Sequence, residues 1–268
     1  MSVRCNKIGS LEYLSSDLLA ETAHCFSTRY GGVSEGHLAS LNLGVHRGDK
    51  PENVWKNYAI LGRAVGFEPE HTVFTKQIHL DIVERVGKEQ WGRGLYREEE
   101  AGCDGLVTNE PLTALTVFSA DCTPVLLYDP VQKAIGAVHA GWRGTAMKIA
   151  AKAVLKMTEE FGSRPEDICA AIGPCIGQCC FETHNDVPDA MLDSYGEAAQ
   201  HHICPVGEKF RVDLKGLNAL SLQEVGVKQI DIAEDCTACE PQRFWSHRRV
   251  GGNRGSLAAV IMLKGEKE

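Results

Sequence analysis

The hydrophobic pattern in the centre of the chain predicts a series of short, buried strands. Apolar runs bounded by turn residues span 112–118, 124–128, 134–138 and 168–172, and two more lie at 229–232 and 257–263. The Asp129-Pro130 turn between the second and third runs predicts a β-hairpin. Strict alternation of apolar and polar residues over 78–82 predicts a further strand, which carries His79.

Apolar residues at helical spacing predict four helices. The first spans 49–66: Asp49 and Glu52 have capping-box spacing, Pro51 lies in the first turn, and Gly66 ends the helix. The others run from Thr145 to Gly162, over 185–195 and over 213–225. Strands and helices alternate irregularly, and no Gly-x-Gly-x-x-Gly follows a strand, so we predict an α+β fold of mixed α/β layers without a dinucleotide site.

Size, charge and composition narrow the class of protein. The 268 residues suffice for a substantial core, and the polar segment 86–102 is typical of a surface loop, which predicts a single domain over 1–268. A formal charge of −8 argues against a nucleic-acid-binding surface. The absence of a long apolar run and of a signal-peptide pattern predicts a cytoplasmic protein that does not bind membranes.

Two segments of the chain contain the residues that are candidates for metal binding or catalysis. Cys122 lies in Ala-Asp-Cys-Thr-Pro and His139 in His-Ala-Gly-Trp-Arg-Gly-Thr, each beside a predicted strand. With His79, they form a candidate set of three ligands for zinc, with one position left open as in catalytic sites. A nucleophilic Cys122 with His139 as its base is equally consistent with these residue types, and so is a buried cysteine with two hydrogen-bonded histidines.

Other residues suggest weaker candidates. Arg29, in a glycine-rich loop, is a candidate clamp for phosphate or carboxylate, whereas a surface arginine without a ligand is the commoner case. Asn42 lies between two leucines and requires a hydrogen-bond partner. Five cysteines could form a structural zinc site, although the spacing of the first three is irregular; they are Cys175, Cys179, Cys180, Cys236 and Cys239.

These segments resemble a known family over nearly the whole chain. The matching motifs are Thr28-Arg29-Tyr30-Gly31-Gly32-Val33-Ser34, Ser40-Leu41-Asn42-Leu43-Gly44, Gln77-Ile78-His79, Asp104-Gly105, Ala120-Asp121-Cys122-Thr123-Pro124, His139-Ala140-Gly141-Trp142-Arg143-Gly144-Thr145, Gly173-Pro174-Cys175 and Ser246-His247-Arg248-Arg249. The family is the YfiH or laccase-domain family, also called the multicopper polyphenol oxidase family. His247 replaces the family's usual Tyr, and the closing Gly-Arg element is altered around 252–256.

The resemblance implies a single layered domain of a type also seen in a bacterial cytotoxic deamidase. It implies zinc, with copper as a less favoured metal, on His79, Cys122 and His139, which would also be the catalytic residues. The implied activity is phosphorolysis of adenosine, inosine and 5′-methylthioadenosine by phosphate, with adenosine deamination as a second activity. Arg29 is then our candidate for holding phosphate, and Asn42 and Gln77 for orienting ribose or base, in a monomer or homodimer.

Four other functions compete with this one. A metal-free hydrolase or deamidase would use Cys122 and His139. A copper oxidase of phenols would need clustered His-x-His pairs, but this chain's ten histidines include only the adjacent pair His201-His202. The remaining alternatives are an enzyme that edits cell-wall precursors and a nucleoside-binding protein without catalytic activity.

Overall fold

The computed structural model describes residues 3–98 and 101–265, which form strands, helices and connecting loops. The strands are β1 (Val3–Ile8), β2 (Leu11–Ser16), β3 (Thr22–Ser27), β4 (Thr72–Phe74), β5 (Val83–Arg85), β6 (Gly105–Thr108), β7 (Ala114–Ser119), β8 (Thr123–Asp129), β9 (Ala134–Ala140), β10 (Cys169–Ile172), β11 (Glu182–Thr183), β12 (Ile203–Val206), β13 (Lys209–Val212), β14 (Gln229–Ile232) and β15 (Leu257–Leu263). The helices are α1 (Pro51–Val65), α2 (Trp142–Ala146), α3 (Ile149–Phe161), α4 (Asp186–Tyr195), α5 (Leu214–Glu224) and α6 (His247–Val250).

Two six-stranded sheets pack face to face. The first has the order β1-β2-β3-β15-β7-β4 and the second the order β14-β10-β8-β9-β6-β5. Alternate residues of β9 show why residues 134–138 are all apolar: Ile135 and Ala137 belong to the core between the sheets, whereas Val138 and Ala140 pack toward the helices. A strand covered on both faces needs apolar residues at nearly every position.

Helices cover the outer faces of both sheets, which gives a helix–sheet–sheet–helix arrangement. Helix α1 packs its Val54, Tyr58 and Leu61 against the first sheet. Helices α3 and α5 cover the second sheet. A small sheet, β11-β13-β12, lies beside α4. The predicted fold class is therefore confirmed, as are the β8–β9 hairpin and most of the predicted helices and strands.

Three local predictions are wrong. Residues 78–82 form no strand, because the backbone N–H groups of residues 78–80 donate to the carboxylate of Asp104 and not to a neighbouring strand. The apolar side chains of this segment are about half exposed. The capping box of α1 does not form: Lys50 is the N-cap, and the Asp49 carboxylate accepts from the Ser34 hydroxyl and the Lys50 N–H. The helix predicted from Thr145 is two helices.

The break between these two helices lies at Lys148, which has a left-handed conformation with φ 56°. The three N-terminal strands were not predicted, although they build half of the first sheet. Within the described ranges, no helix combines the length and apolar character needed to cross a bilayer.

Candidate active site

The β8–β9 hairpin brings Cys122 and His139 together at one end of the second sheet. Pro124 of β8 pairs with His139 of β9, and Cys122 lies immediately before the first residue of β8. His79 reaches the same point from the loop before β5. The ligand atoms of these three residues lie within 4.8 Å of one another, and the two imidazole rings are 4.9 Å apart and nearly perpendicular. The structure therefore brings together the three residues that the sequence selected.

The carboxylate of Asp104 holds both histidines in place. One oxygen accepts a hydrogen bond from the His79 backbone N–H at 3.0 Å and lies 2.8 Å from Nδ1 of His139, and the other accepts from the N–H groups of Ile78 and Leu80. Since His79 adopts φ 61°, these bonds fix a loop conformation that a non-glycine residue rarely adopts. A carboxylate on Nδ1 also leaves Nε2 of His139 to face the site, an arrangement typical of metal-binding histidines.

Gly141 gives the three side chains the room they need. A β-carbon at this position would lie 3.1 Å from Cδ2 of His79 and 3.4 Å from Sγ of Cys122. The backbone of Gly141 has φ −67°, which any residue adopts, so glycine is needed here for its small size. Gly141 thus borders all three candidate ligands.

The electrostatics of the site favour a thiolate. Burial would raise the pKa of Cys122, but the charge and hydrogen bond of His139, with a contribution from His79, lower it to about 6. Burial would lower the pKa of His139, but Cys122 and Asp104 raise it to about 9. The pair therefore favours the ionised thiol, the form that both metal binding and nucleophilic attack require.

A pocket of about 330 Å³ opens in front of Cys122 and His79. Its other lining residues combine apolar and aromatic surface with cationic groups; they are Ala120, Asp121, Trp142, Ile176, Phe181, Leu214, His247, Arg248 and Arg254. Asp121 accepts hydrogen bonds from the Thr237 hydroxyl and the Arg248 N–H, which ties the α6 segment to this wall. The sequence departs from the family pattern at His247 and around 252–256, and both places contribute to the pocket lining, through His247 and Arg254.

Arg29 lies elsewhere, and its guanidinium donates to backbone carbonyls. Nε and Nη2 bond to the carbonyl of Ala39, Nη1 bonds to that of Pro241, and the group stacks on Trp245 at 3.7 Å. It is not among the described residues that line the pocket at Cys122. These contacts hold the glycine-rich loop.

Asn42 and Gln77 also use their amides within the protein. Asn42 is fully buried and bonds to Gly44, Asp49 and the N–H of Ser256. Gln77 bonds through both amide atoms to the backbone of Phe118, although it does line a second pocket of about 370 Å³. Neither residue lines the pocket at Cys122, as far as the described residues show.

Arg47 and Arg254, which sequence reasoning missed, are two cations that lie at the two pockets. Arg254 lines the first pocket and is 9% exposed, and Arg47 lines the second. They are joined through one segment: Nε of Arg47 donates to the hydroxyl of Ser256, and Nη1 of Arg254 donates to the carbonyl of Gly255. Nε of Arg254 is buried and bonds to no other described group.

The pKa of Arg254 reflects this position. Burial and the charge of Arg47 lower it to about 10, while Asp121 and Cys122 raise it. Arg254 is a buried cation without an ion-pair partner among the described residues, and the charge of Arg47 acts on it, so this position attracts an anion. Neither arginine belongs to a sequence motif with an obvious ligand, so only the folded arrangement identifies them.

Fold and site together define a layered mixed α/β protein with a His-Cys-His set at the wall of a pocket. A comparison with known families agrees: the family described as multi-copper polyphenol oxidoreductase laccase matches residues 23–264. The chain belongs to this family.

Relatives and solved structures support the assignment. Purine nucleoside phosphorylase YlmD of Bacillus subtilis is 36% identical over 245 residues, which cover 89% of this chain and 87% of the relative. Purine nucleoside phosphorylase YfiH of Escherichia coli is 36% identical over 90% of this chain and 93% of its own length. The crystal structure of a hypothetical YfiH protein of Bacillus licheniformis superposes with a TM-score of 0.92, at 33% identity, covering 98% of this chain and 99% of that one.

Proposed function

We propose that this chain is a zinc-dependent purine nucleoside phosphorylase. The observation that carries the proposal is the convergence of His79, Cys122 and His139 at the wall of a pocket that also presents cationic side chains. The names of the relatives described above point to the same activity. The reaction cleaves adenosine, inosine or 5′-methylthioadenosine with phosphate to the free base and ribose 1-phosphate or its methylthio analogue, and deamination of adenosine is a second expected activity.

The ligand set fits zinc better than copper. Two imidazoles and one thiolate are common zinc ligands, and three protein ligands leave a position for water or substrate. The hydrogen bond between Asp104 and His139 adds the outer partner that zinc-binding histidines usually have. Bound zinc would supply Lewis acidity and lower the pKa of a coordinated water. A multicopper centre would need further histidines, whereas no candidate metal-binding group among the described residues contains more than these two imidazoles.

The pocket residues suit a purine nucleoside. Trp142, Phe181 and Ile176 offer aromatic and apolar surface for a flat heterocycle. His247 and Arg248 supply polar groups beside that surface. We assign these residues to binding of the nucleoside.

Arg254 and Arg47 replace Arg29 as our candidates for phosphate binding. A planar guanidinium binds phosphate oxygens in a bidentate manner, and Nε of Arg254 has a free donor in the buried state. Arg254 borders the same pocket as Cys122, so phosphate held there would lie beside the nucleoside. The donors of Arg29 are already bonded to carbonyls.

A metal-free hydrolase or deamidase is the second candidate. The specific observation in its favour is the series Cys122, His139 and Asp104, which has the order of nucleophile, base and orienting carboxylate. This enzyme would work without zinc and would lose activity on alkylation of Cys122.

Chromatography of adenosine and inosine incubated with the purified protein, with and without phosphate, tests the proposal. We expect free base and ribose 1-phosphate only when phosphate is present, and inosine from adenosine if deamination also occurs. Base released equally without phosphate would indicate a hydrolase, and unchanged nucleosides would overturn the proposal. Loss of phosphorolysis on zinc chelation, reversed by added zinc, would separate the zinc enzyme from the Cys122 hydrolase.

A further inference from the structure

Four cysteine thiols lie close together outside the His79-Cys122-His139 set. Cys179 and Cys180 come from the loop that precedes β11, and Cys236 and Cys239 from the segment after β14. Sγ of Cys239 lies 3.5 Å from that of Cys179 and 3.4 Å from that of Cys180, and the latter two are 3.8 Å apart. All four sulfur atoms lie within 4.8 Å of one another.

This spacing corresponds to a tetrathiolate metal site. Zinc–sulfur bonds of about 2.3 Å in a tetrahedron place the sulfur atoms about 3.8 Å apart. The observed separations lie close to that value, so a single ion could bind all four thiolates after small side-chain rotations. Residues 236–239 also form a Cys-x-x-Cys pair, the spacing usual in structural zinc sites.

A backbone N–H group supports the most buried of the four thiols. The Gly177 N–H donates to Sγ of Cys236 at 3.1 Å. Gly177 also leaves space for the sulfurs, since a β-carbon there would lie 3.2 Å from Sγ of Cys179 and 3.4 Å from Sγ of Cys236.

We propose that Cys179, Cys180, Cys236 and Cys239 bind one Zn²⁺ ion as a closed structural site, separate from the His79-Cys122-His139 set. Four soft thiolates select zinc over harder divalent cations, and four protein ligands leave no position for substrate. The site would act on the fold, and its existence does not depend on the proposed phosphorylase activity.

The position of the four cysteines explains what such an ion would stabilise. The first pair lies between Ile176 and β11 and directly precedes Phe181, which lines the pocket. Both pairs are linked to α6: Nη1 of Arg248 donates to the carbonyl of Cys180 in the first pair, and Nε of Arg249 donates to the carbonyl of Ala238, which lies between the two cysteines of the second pair. Zinc at this point would cross-link the segment that carries Ile176 and Phe181 to the segment that leads into α6.

A disulfide is the competing outcome. Cys239 is close enough to either Cys179 or Cys180 for oxidation to join them, and three of the four thiols are at least partly exposed. Mass spectrometry of the protein purified without reductant distinguishes the two. A Cys239 disulfide in a chain that also binds no zinc at the cluster after reduction would contradict the zinc site.

Metal content per chain, measured by plasma mass spectrometry, tests the proposal directly. We expect the Cys179→Ser/Cys239→Ser variant to lose one equivalent of zinc relative to the wild type. The matched control, Cys5→Ser/Cys204→Ser, removes two exposed cysteines outside the cluster and should keep its zinc. Equal zinc in the wild type and the cluster variant would overturn the proposal.

A second measurement covers the case in which the cluster variant does not fold. The His79→Ala/Cys122→Ser variant keeps all four clustered cysteines and lacks two of the three other ligands. Titrated with cobalt(II), it should bind one equivalent and show intense thiolate-to-cobalt charge-transfer absorption. Absence of that absorption in the folded protein would overturn the proposal, whether or not the protein has phosphorolytic activity.

Discussion

At the scale of single residues, small substitutions beside the His79-Cys122-His139 set are expected to disturb it, because the neighbouring residues pack closely around these three side chains. Asp104 binds three backbone N–H groups and one histidine with a single carboxylate, and Gly141 leaves just enough space for three side chains. These two residues decide the positions of His79 and His139. Neither would itself contact a metal ion.

Gly141→Ala should weaken zinc binding without unfolding the protein. The added methyl group would press on His79 and Cys122, while the backbone conformation at this position suits alanine. By analogy with changes in the outer shell of metal sites, we expect about a 10-fold loss of zinc affinity in competition with a chelator. Gly252→Ala is the control, because no atom lies within 4 Å of its β-carbon position. Unchanged zinc affinity in Gly141→Ala would contradict this account of the site.

Arg254→Met should raise KM for phosphate about 10-fold or more, with a smaller effect on KM for inosine. The loss of a charged donor to a bound phosphate is worth about 1.5–3 kcal/mol. Arg29→Met provides the comparison, since that guanidinium binds carbonyls away from the pocket. Initial rates at varied phosphate measure both variants. A larger change in phosphate KM for Arg29→Met would return the phosphate site to the residue that the sequence suggested.

At the scale of elements, the hairpin was predictable and the loop that carries His79 was not. Residues 124–128 and 134–138 are apolar runs that flank the Asp129-Pro130 turn, so the sequence predicted both the strand pair and the meeting of Cys122 with His139. The conformation of 78–80 instead depends on Asp104, which lies more than twenty positions away. Local periodicity contains no information about such a contact, and the alternation of Ile78, Leu80 and Ile82 therefore suggested a strand.

The strands of the first sheet include a buried histidine that should make stability depend on pH. His24, on β3, accepts a hydrogen bond from the Ser16 N–H through Nε2, and burial lowers its pKa to about 4. The unfolded chain, with a pKa near 6.5, binds the proton first as the pH falls. The resulting stability is therefore complete above about pH 6.5 and is lost progressively toward pH 4.

Urea unfolding at pH 7 and pH 5 measures this contribution. We expect the wild type to lose about 2 kcal/mol more than His24→Gln between the two values, from 1.36 kcal/mol for each pKa unit. His37→Gln, at an exposed position, should behave like the wild type. Identical pH dependence in all three proteins would show that His24 is not held neutral by burial.

At the scale of the whole molecule, the packing of two sheets places distant parts of the chain around one pocket. The β8–β9 hairpin provides Cys122 and His139, the loop before β5 provides His79, and the segments around α6 and β15 provide the cationic wall. The three candidate metal ligands could be chosen from the sequence because their residue types are distinctive. Arg47 and Arg254 could not, since they come together only through contacts that span more than 200 residues of the chain.

The central claim is that the His79-Cys122-His139 set drives phosphorolysis, and the most direct test is the rate of ribose 1-phosphate formation from inosine and phosphate by His79→Ala. We expect this variant to lose zinc from the site and at least about 100-fold in rate, while His37→Ala keeps the rate of the wild type. A folded His79→Ala protein with full activity and full metal content would contradict the claim.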